Sequence, residues 1–259
     1  MKILVKLGGT LLDDVGSRTR LASELAQAAR EGAELVVVHG GGRQMTRYLA
    51  ERGIESRFVN GLRVTTPETI DAVLKVFAGS VNHELVAALV AAGAPAMGLS
   101  GIDACLAEAE QLDPALGAVG RVVRSNPALL HLLSAAGYVP VVACVAGDRQ
   151  GRVYNVNADQ MAVACAAAFG AETLLFLTDV PGVMGADRKI IPELTAADCC
   201  RLIAEGVATG GMQAKLNAAA ESLRTGVGQV LIAPGSQPGI VSQAMQNQSV
   251  GTRLVPGTA

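Results

Sequence analysis

Six short aliphatic runs recur along the chain, at Ile3 to Leu7, Leu35 to Val38, Ala96 to Leu99, Tyr138 to Val145, Thr173 to Leu177 and Gln229 to Ile232, with longer stretches of helical period between them. A run this short that is apolar on both faces suits a strand buried between helices. Its regular alternation with helices predicts βαβ units on a parallel sheet, an α/β fold class. Helix ends are written between the runs. Thr66-Pro67 and Asn126-Pro127 each place a capping side chain before a proline at the first helical position. Gly32, Gly53, Gly93, Gly137, Gly170 and Gly226 follow helical stretches where a left-handed residue would end them.

The core these elements share must be aliphatic, because half of the 259 residues are hydrophobic while only 3% are aromatic and none is Trp. A net charge of -2 without a basic stripe argues against nucleic acid as a partner. The five cysteines, Cys105, Cys144, Cys165, Cys199 and Cys200, are odd in number and form no CxxC pair. They read as buried free thiols of a reducing compartment, with the Cys199-Cys200 pair assigned to packing. The opening MKILVKLGG has no cleavable signal architecture, and the apolar stretch Leu85 to Leu99 is broken by Gly93 and Pro95, too short to span a bilayer. The expectation is a soluble, cytoplasmic protein with no membrane partner.

Asp103 to Arg124 lacks the helical period and carries turn signals at Asp113-Pro114 and Gly117, which predicts a β-hairpin-like excursion from the sheet edge. A soft boundary near Gly170 divides the chain into two lobes of one fold, residues 1–170 and 171–259.

Chemistry-bearing residues cluster where the runs end. Lys6-Leu7-Gly8-Gly9-Thr10 delivers a lysine and two glycines to the end of a strand, where α/β proteins bind ligands; a tight turn with a snorkelling lysine explains the same residues. His39-Gly40-Gly41-Gly42 repeats the design, and three glycines are costly unless the backbone must touch something, be it ligand or a neighbouring helix. For His39 itself local hydrogen bonds rather than base catalysis are expected, and His83 and His131 are assigned nothing. Asn60-Gly61-Leu62-Arg63-Val64-Thr65 presents an arginine suited to bidentate capture of a carboxylate. In Tyr154-Asn155-Val156-Asn157-Ala158-Asp159-Gln160 alternation puts Asn155, Asn157 and Asp159 on one face, more polar groups than a helix cap requires. Leu177-Thr178-Asp179-Val180-Pro181-Gly182-Val183 is a strand-ending turn that could hold a nucleotide, and Thr209-Gly210-Gly211-Met212-Gln213-Ala214-Lys215 starts a helix carrying a second lysine.

With these six motifs in this order and spacing, the chain resembles the amino-acid kinase family over essentially its whole length, and within it the branch acting on N-acetyl-L-glutamate. The resemblance implies an open, mostly parallel sheet between helical layers, with an N-terminal lobe for the amino-acid substrate and dimerisation and a C-terminal lobe for ATP. It implies ATP-dependent phosphorylation of the side-chain carboxylate to N-acetyl-L-glutamyl 5-phosphate in arginine biosynthesis. Lys6 and Lys215 would neutralise the transferring phosphoryl group and Asp159 would orient both. Gly41, Gly42, Arg63, Asn155 and Asn157 would bind the substrate, while Gly8 and Gly9 would meet the phosphates. The nucleotide would lie against Thr178, Asp179, Val180, Gly182, Val183, Met184, Val207, Ala208 and Thr209. No protein cage for Mg²⁺ is visible, so the metal would arrive on the ATP phosphates. Two alternatives stand: a sister kinase for N-acetyl- or carrier-linked aminoadipate, which the NVNADQ spelling disfavours, and a non-catalytic nucleotide-binding regulator, which retention of Lys6, Asp159 and Lys215 disfavours. Arginine-inhibited members carry an extra N-terminal helix that builds hexamers. With a first strand starting near Lys2, the expectation here is a homodimer with little arginine feedback, joined through the apolar helix from Pro67 to Ala92.

Overall fold

A computed structural model describes residues 1–257; the last two residues of the expected C-terminal lobe, 258 and 259, lie outside the described residues. Its centre is an eight-stranded sheet with spatial order Glu193–Thr195, Thr252–Val255, Gln229–Pro234, Thr173–Thr178, Lys2–Leu7, Glu34–His39, Val139–Ala143 and Ala96–Ser100. The six strands from Gln229–Pro234 to Ala96–Ser100 are mutually parallel and coincide with the six aliphatic runs. They are uniform because both faces are covered: in Lys2–Leu7 and Thr173–Thr178 nearly every side chain is buried, which leaves no polar alternation to select.

Two strands have no aliphatic run to announce them. Thr252–Val255 pairs antiparallel to Gln229–Pro234, and Glu193–Thr195 pairs parallel to Thr252–Val255. The run Tyr138 to Val145 also divides. Its strand ends at Ala143, and after Cys144 the chain leaves the sheet so that Val145 pairs with Asn155. The predicted excursion is a hairpin of Ala107–Gln111 and Val119–Ser125, which closes with Val145–Gly147 and Val153–Val156 into a small four-stranded barrel beside the sheet.

The Thr66-Pro67 signal acts as read, whereas at Asn126-Pro127 the helix starts one residue later, at Ala128, with Pro127 at the cap position. Thr66 Oγ1 accepts the Thr69 N–H at 3.3 Å and Asn126 Oδ1 accepts the Ala128 N–H at 3.1 Å. The six helix-ending glycines all have positive φ, between 68° and 98°. All five cysteines are free, but only Cys144, Cys165 and Cys199 are buried. Cys105 is exposed because it sits in a turn outside the sheet, and Cys200 because it falls on the outer face of the helix Ala196–Ala204 whose inner face takes Cys199.

Pro67–Ala91 forms one helix of 25 residues, with a π-helical stretch at Leu74–Val81. Contrary to the estimate from Leu85 to Leu99, this helix is long and apolar enough to cross a bilayer by length and composition. Leu85 and Leu89 are nevertheless fully buried in the core, so one side of the helix belongs to the globular fold.

Candidate active site

Because the six central strands run the same way, the loops that follow them meet at one end of the sheet, the edge where α/β proteins bind ligands. Lys6, one residue from the end of its strand, is only 7% exposed, and its Nζ lies 2.6 Å from Asp159 Oδ1. Lys215 Nζ, from the helix Gly210–Arg224, donates to Asp159 Oδ2 at 3.1 Å. Asp159 itself is in the first turn of the helix Ala158–Phe169, where the helix dipole favours a carboxylate. Oδ1 receives no well-directed hydrogen bond, so Lys6 holds it as an ion pair. Burial pushes the Asp159 carboxyl up, but the charges and contacts of Lys6 and Lys215 overcome burial and hold it below its ordinary value. Two cations on one carboxylate leave the cluster with a net positive charge in a largely buried setting.

The glycines beside this cluster divide by cause. A Cβ on Gly9 would stand 3.0 Å from the Gly42 nitrogen, one on Gly41 2.9 Å from the Phe77 ring, and one on Gly8 3.3 Å from the Leu177 carbonyl, which accepts the Gly8 N–H at 3.0 Å. These three are small because the two loops, the neighbouring strand and the helix carrying Phe77 pack closely. Gly42 and Gly211 differ: a Cβ would meet nothing within 4 Å, and neither has positive φ. Both stand exposed at helix starts, Gly42 opening Gly42–Ala50 on the wall of a cavity and Gly211 second in Gly210–Arg224, so neither packing nor backbone conformation requires a glycine there.

A cavity of about 160 Å³ reaches Ala158, the residue before Asp159, and is lined by Gly41, Gly42, Arg63, Asn155 and Asn157 together with Phe77 and Cys144. All five expected substrate residues therefore line one space. Arg63 is 7% exposed and follows the Asn60-Gly61 turn of a two-stranded hairpin. Its guanidinium donates to Ser56 Oγ, to the Gly42 carbonyl at 3.1 Å and to Thr46 Oγ1 at 2.8 Å, and lies 4.6 Å from the Phe58 ring centre. Burial pulls its pKa down, yet a guanidinium stays charged at neutral pH, and no carboxylate pairs with it among the described residues. Asn155 Nδ2 donates to Thr65 Oγ1 at 3.0 Å. Asn157 Oδ1 is taken up as the cap of the Asp159 helix, accepting N–H groups of Asp159 at 2.9 Å and Gln160 at 3.3 Å, which leaves only its amide nitrogen for anything else.

The expected nucleotide residues follow strand ends at the same end of the sheet, and among the described residues no hydrogen bond or ion pair joins their side chains to the cluster. Thr178 closes its strand, and its Oγ1 donates to Asp179 Oδ1 at 3.1 Å. The turn that follows is pinned from the last strand, where Thr252 Oγ1 accepts the Val183 N–H at 2.8 Å and stands where a Gly182 side chain would go. Val180 lies within this turn, Met184 is exposed, and Ala208 is buried. Val207 and Ala208 precede Thr209, which caps the Lys215 helix without using its side chain. Ser56, Thr46, Phe58 and Thr252 escaped the sequence reading, since none belongs to a motif and only folding brings each beside one.

His39 is buried completely. Its Nδ1 donates to the Gly40 carbonyl at 2.8 Å, so Nε2 accepts from Asn82 Nδ2 at 2.9 Å. Burial drives its pKa from 6.5 down to about 4, with the Gly40 contact opposing, which fits the local hydrogen-bonding role. The unfolded chain binds this proton from pH 6.5 downward and the folded chain only near pH 4. Stability is therefore full above pH 6.5 and falls between the two values, by about 3 kcal/mol in all. Urea unfolding at pH 7 and pH 4.5 should show a loss that a His39→Gln variant lacks; equal losses in both proteins would contradict the assignment.

The amino acid kinase family model matches residues 1–234. The acetylglutamate kinase of Solibacter usitatus is 68% identical over 255 residues, spanning 98% of this chain and 99% of that protein. That of Acidobacterium capsulatum is 46% identical over 236 residues, 90% and 91% of the two chains. Among solved structures, N-acetylglutamate synthase from Neisseria gonorrhoeae, complexed with coenzyme A and N-acetyl-glutamate, superposes with a TM-score of 0.89 at 24% identity. It covers 100% of this chain, which spans 60% of its length, a likeness of fold. By the family match and these relatives, the chain belongs to the amino acid kinase family.

Proposed function

We propose that this protein transfers the γ-phosphoryl group of ATP to the side-chain carboxylate of N-acetyl-L-glutamate, forming N-acetyl-L-glutamyl 5-phosphate in arginine biosynthesis. The observation that carries this reading is the Lys6–Asp159–Lys215 cluster beside a cavity holding Arg63, a buried cation without an acidic partner among the described residues. A carboxylate is already an anionic nucleophile, so the reaction needs no general base. Its obstacle is repulsion between the attacking oxygen and the triphosphate, which positive charge and alignment relieve. Lys6 and Lys215 supply that charge from opposite sides of the cleft, and Asp159 keeps both ammonium groups on one spot. Arg63 binds the substrate α-carboxylate, and Gly41, Gly42, Asn155 and the Asn157 amide orient the acetylated end.

We assign the lobe of residues 1–170 to the amino-acid substrate and the lobe of 171–259 to ATP. Gly8 and Gly9 meet the phosphates, while the segment from Thr178 to Met184 and the residues Val207, Ala208 and Thr209 hold the nucleotide. Mg²⁺ fits as a companion of the triphosphate rather than a guest of the protein: among the described residues no three acidic, His or Cys side chains cluster, and both Asp159 oxygens face lysines. The free thiols suit a reducing cytoplasm.

The test is a hydroxylamine-trapping assay with MgATP offering N-acetyl-L-glutamate, N-acetyl-aminoadipate, glutamate and aspartate. Strong preference for N-acetyl-L-glutamate supports the reading. Preference for another acid moves it to a sister substrate, and ATP binding without turnover would favour a regulator.

The reading includes a homodimer. Met97 on the edge strand Ala96–Ser100, and Leu74 and Val90 on the helix Pro67–Ala91, are apolar and 37 to 55% exposed. An apolar helix beside an open sheet edge is relieved by a second copy. Light scattering should give twice the chain mass, and a monomer at micromolar concentration would contradict the assignment.

A further inference from the structure

Arg43 is the second residue of the helix Gly42–Ala50, and two local influences on it are unfavourable. A cation in the first helical turn opposes the helix dipole, and Arg47 lies one turn on, a like charge at the spacing that places side chains together. Arg47 is relieved by Asp13 at 2.8 Å. Arg43 has no ion pair or side-chain hydrogen bond among the described residues, and it is exposed. It lines a second cavity of about 580 Å³, shared with Gly9, Thr10, Gly42, Thr46 and Arg63. Gly42, Phe58 and Arg63 belong to the walls of both spaces, so Arg43, with Arg47, lines the more open space that shares Arg63 with the first.

We propose that Arg43 is a further substrate-binding residue, drawing the N-acetyl-L-glutamate dianion into the cleft and handing it to Arg63. This rests on the function proposed above. The chain carries a net charge of -2, so an anionic substrate meets overall repulsion and gains from a cation placed in the more open space. The anion also supplies the counter-charge that the fold withholds from Arg43.

Removing an unfavourable helix charge should leave stability unchanged or raised while binding suffers, a pairing that a structural arginine does not produce. In Arg43→Gln, the KM for N-acetyl-L-glutamate should rise about five- to tenfold at low ionic strength. The gap to wild type should shrink as salt is added, the melting temperature should not fall, and Arg43→Lys should recover most of the affinity. An unchanged KM, a rise in the KM for ATP instead, or a loss of melting temperature in parallel with activity would each overturn the proposal. Absence of wild-type turnover with N-acetyl-L-glutamate removes this inference together with the reading beneath it, whereas normal wild-type turnover with an unaffected variant removes this one alone.

Discussion

Lys6→Ala and Lys215→Ala should each lower kcat by about a thousandfold while the KM for ATP changes only a few-fold. The size follows from where the charges act. In the resting protein both ammonium groups are already neutralised in part by Asp159, at 2.6 Å and 3.1 Å, so their remaining field is felt most strongly when negative charge gathers on the transferring group. An interaction made mainly in the transition state appears in kcat. The two losses should not multiply. With one lysine gone, Asp159 keeps a single cation, its burial weighs more heavily, and its hold on the remaining lysine changes, so the double variant should fall little below the worse single one. Lys6→Met preserves the volume at this buried position and separates charge from packing. Steady-state kinetics at saturating substrates, with a melting curve for each variant, measure both effects; a single variant with kcat within tenfold of wild type would contradict the assignment.

For Arg63→Ala the expected result is a KM for N-acetyl-L-glutamate about a hundredfold higher, with kcat far less affected. A hydrogen-bonded contact to a charged group contributes about 1.5–3 kcal/mol, and 1.4 kcal/mol is a factor of ten. Arg63→Lys should recover little, because Ser56, Thr46 and the Gly42 carbonyl orient a planar fork that a single ammonium cannot reproduce. Those same contacts tie the hairpin to the Gly42 helix, so the variant's melting temperature must be read beside its KM. Wild-type KM in a folded Arg63→Ala would contradict the carboxylate role.

How far these features could be read in advance depended on whether they are local. The six parallel strands are legible because burial on both faces writes an unbroken aliphatic run, and Thr66-Pro67 is legible because a cap is a neighbour effect. Glu193–Thr195 and Thr252–Val255 are not, since three or four residues with part of their surface exposed carry no pattern above background. The site is mixed in the same way. Each glycine-rich motif marks a strand end, but only the folded arrangement separates Gly41, bare because Phe77 is close, from Gly42, bare beside open space. The resemblance placed Lys6, Asp159 and Lys215 in one cluster. Their spacing could not, because nothing in the intervening chain fixes how the two helices and the strand meet.

In the proposed reaction the substrate side-chain carboxylate attacks the γ-phosphorus of ATP between Lys6 and Lys215. It is tested most directly by ³¹P NMR with N-acetyl-L-glutamate labelled with ¹⁸O in that carboxylate. A new acyl-phosphate resonance displaced by the isotope is expected, because the labelled oxygen becomes the bridge to phosphorus. Orthophosphate alone, or an acyl phosphate without the isotope shift, would contradict it.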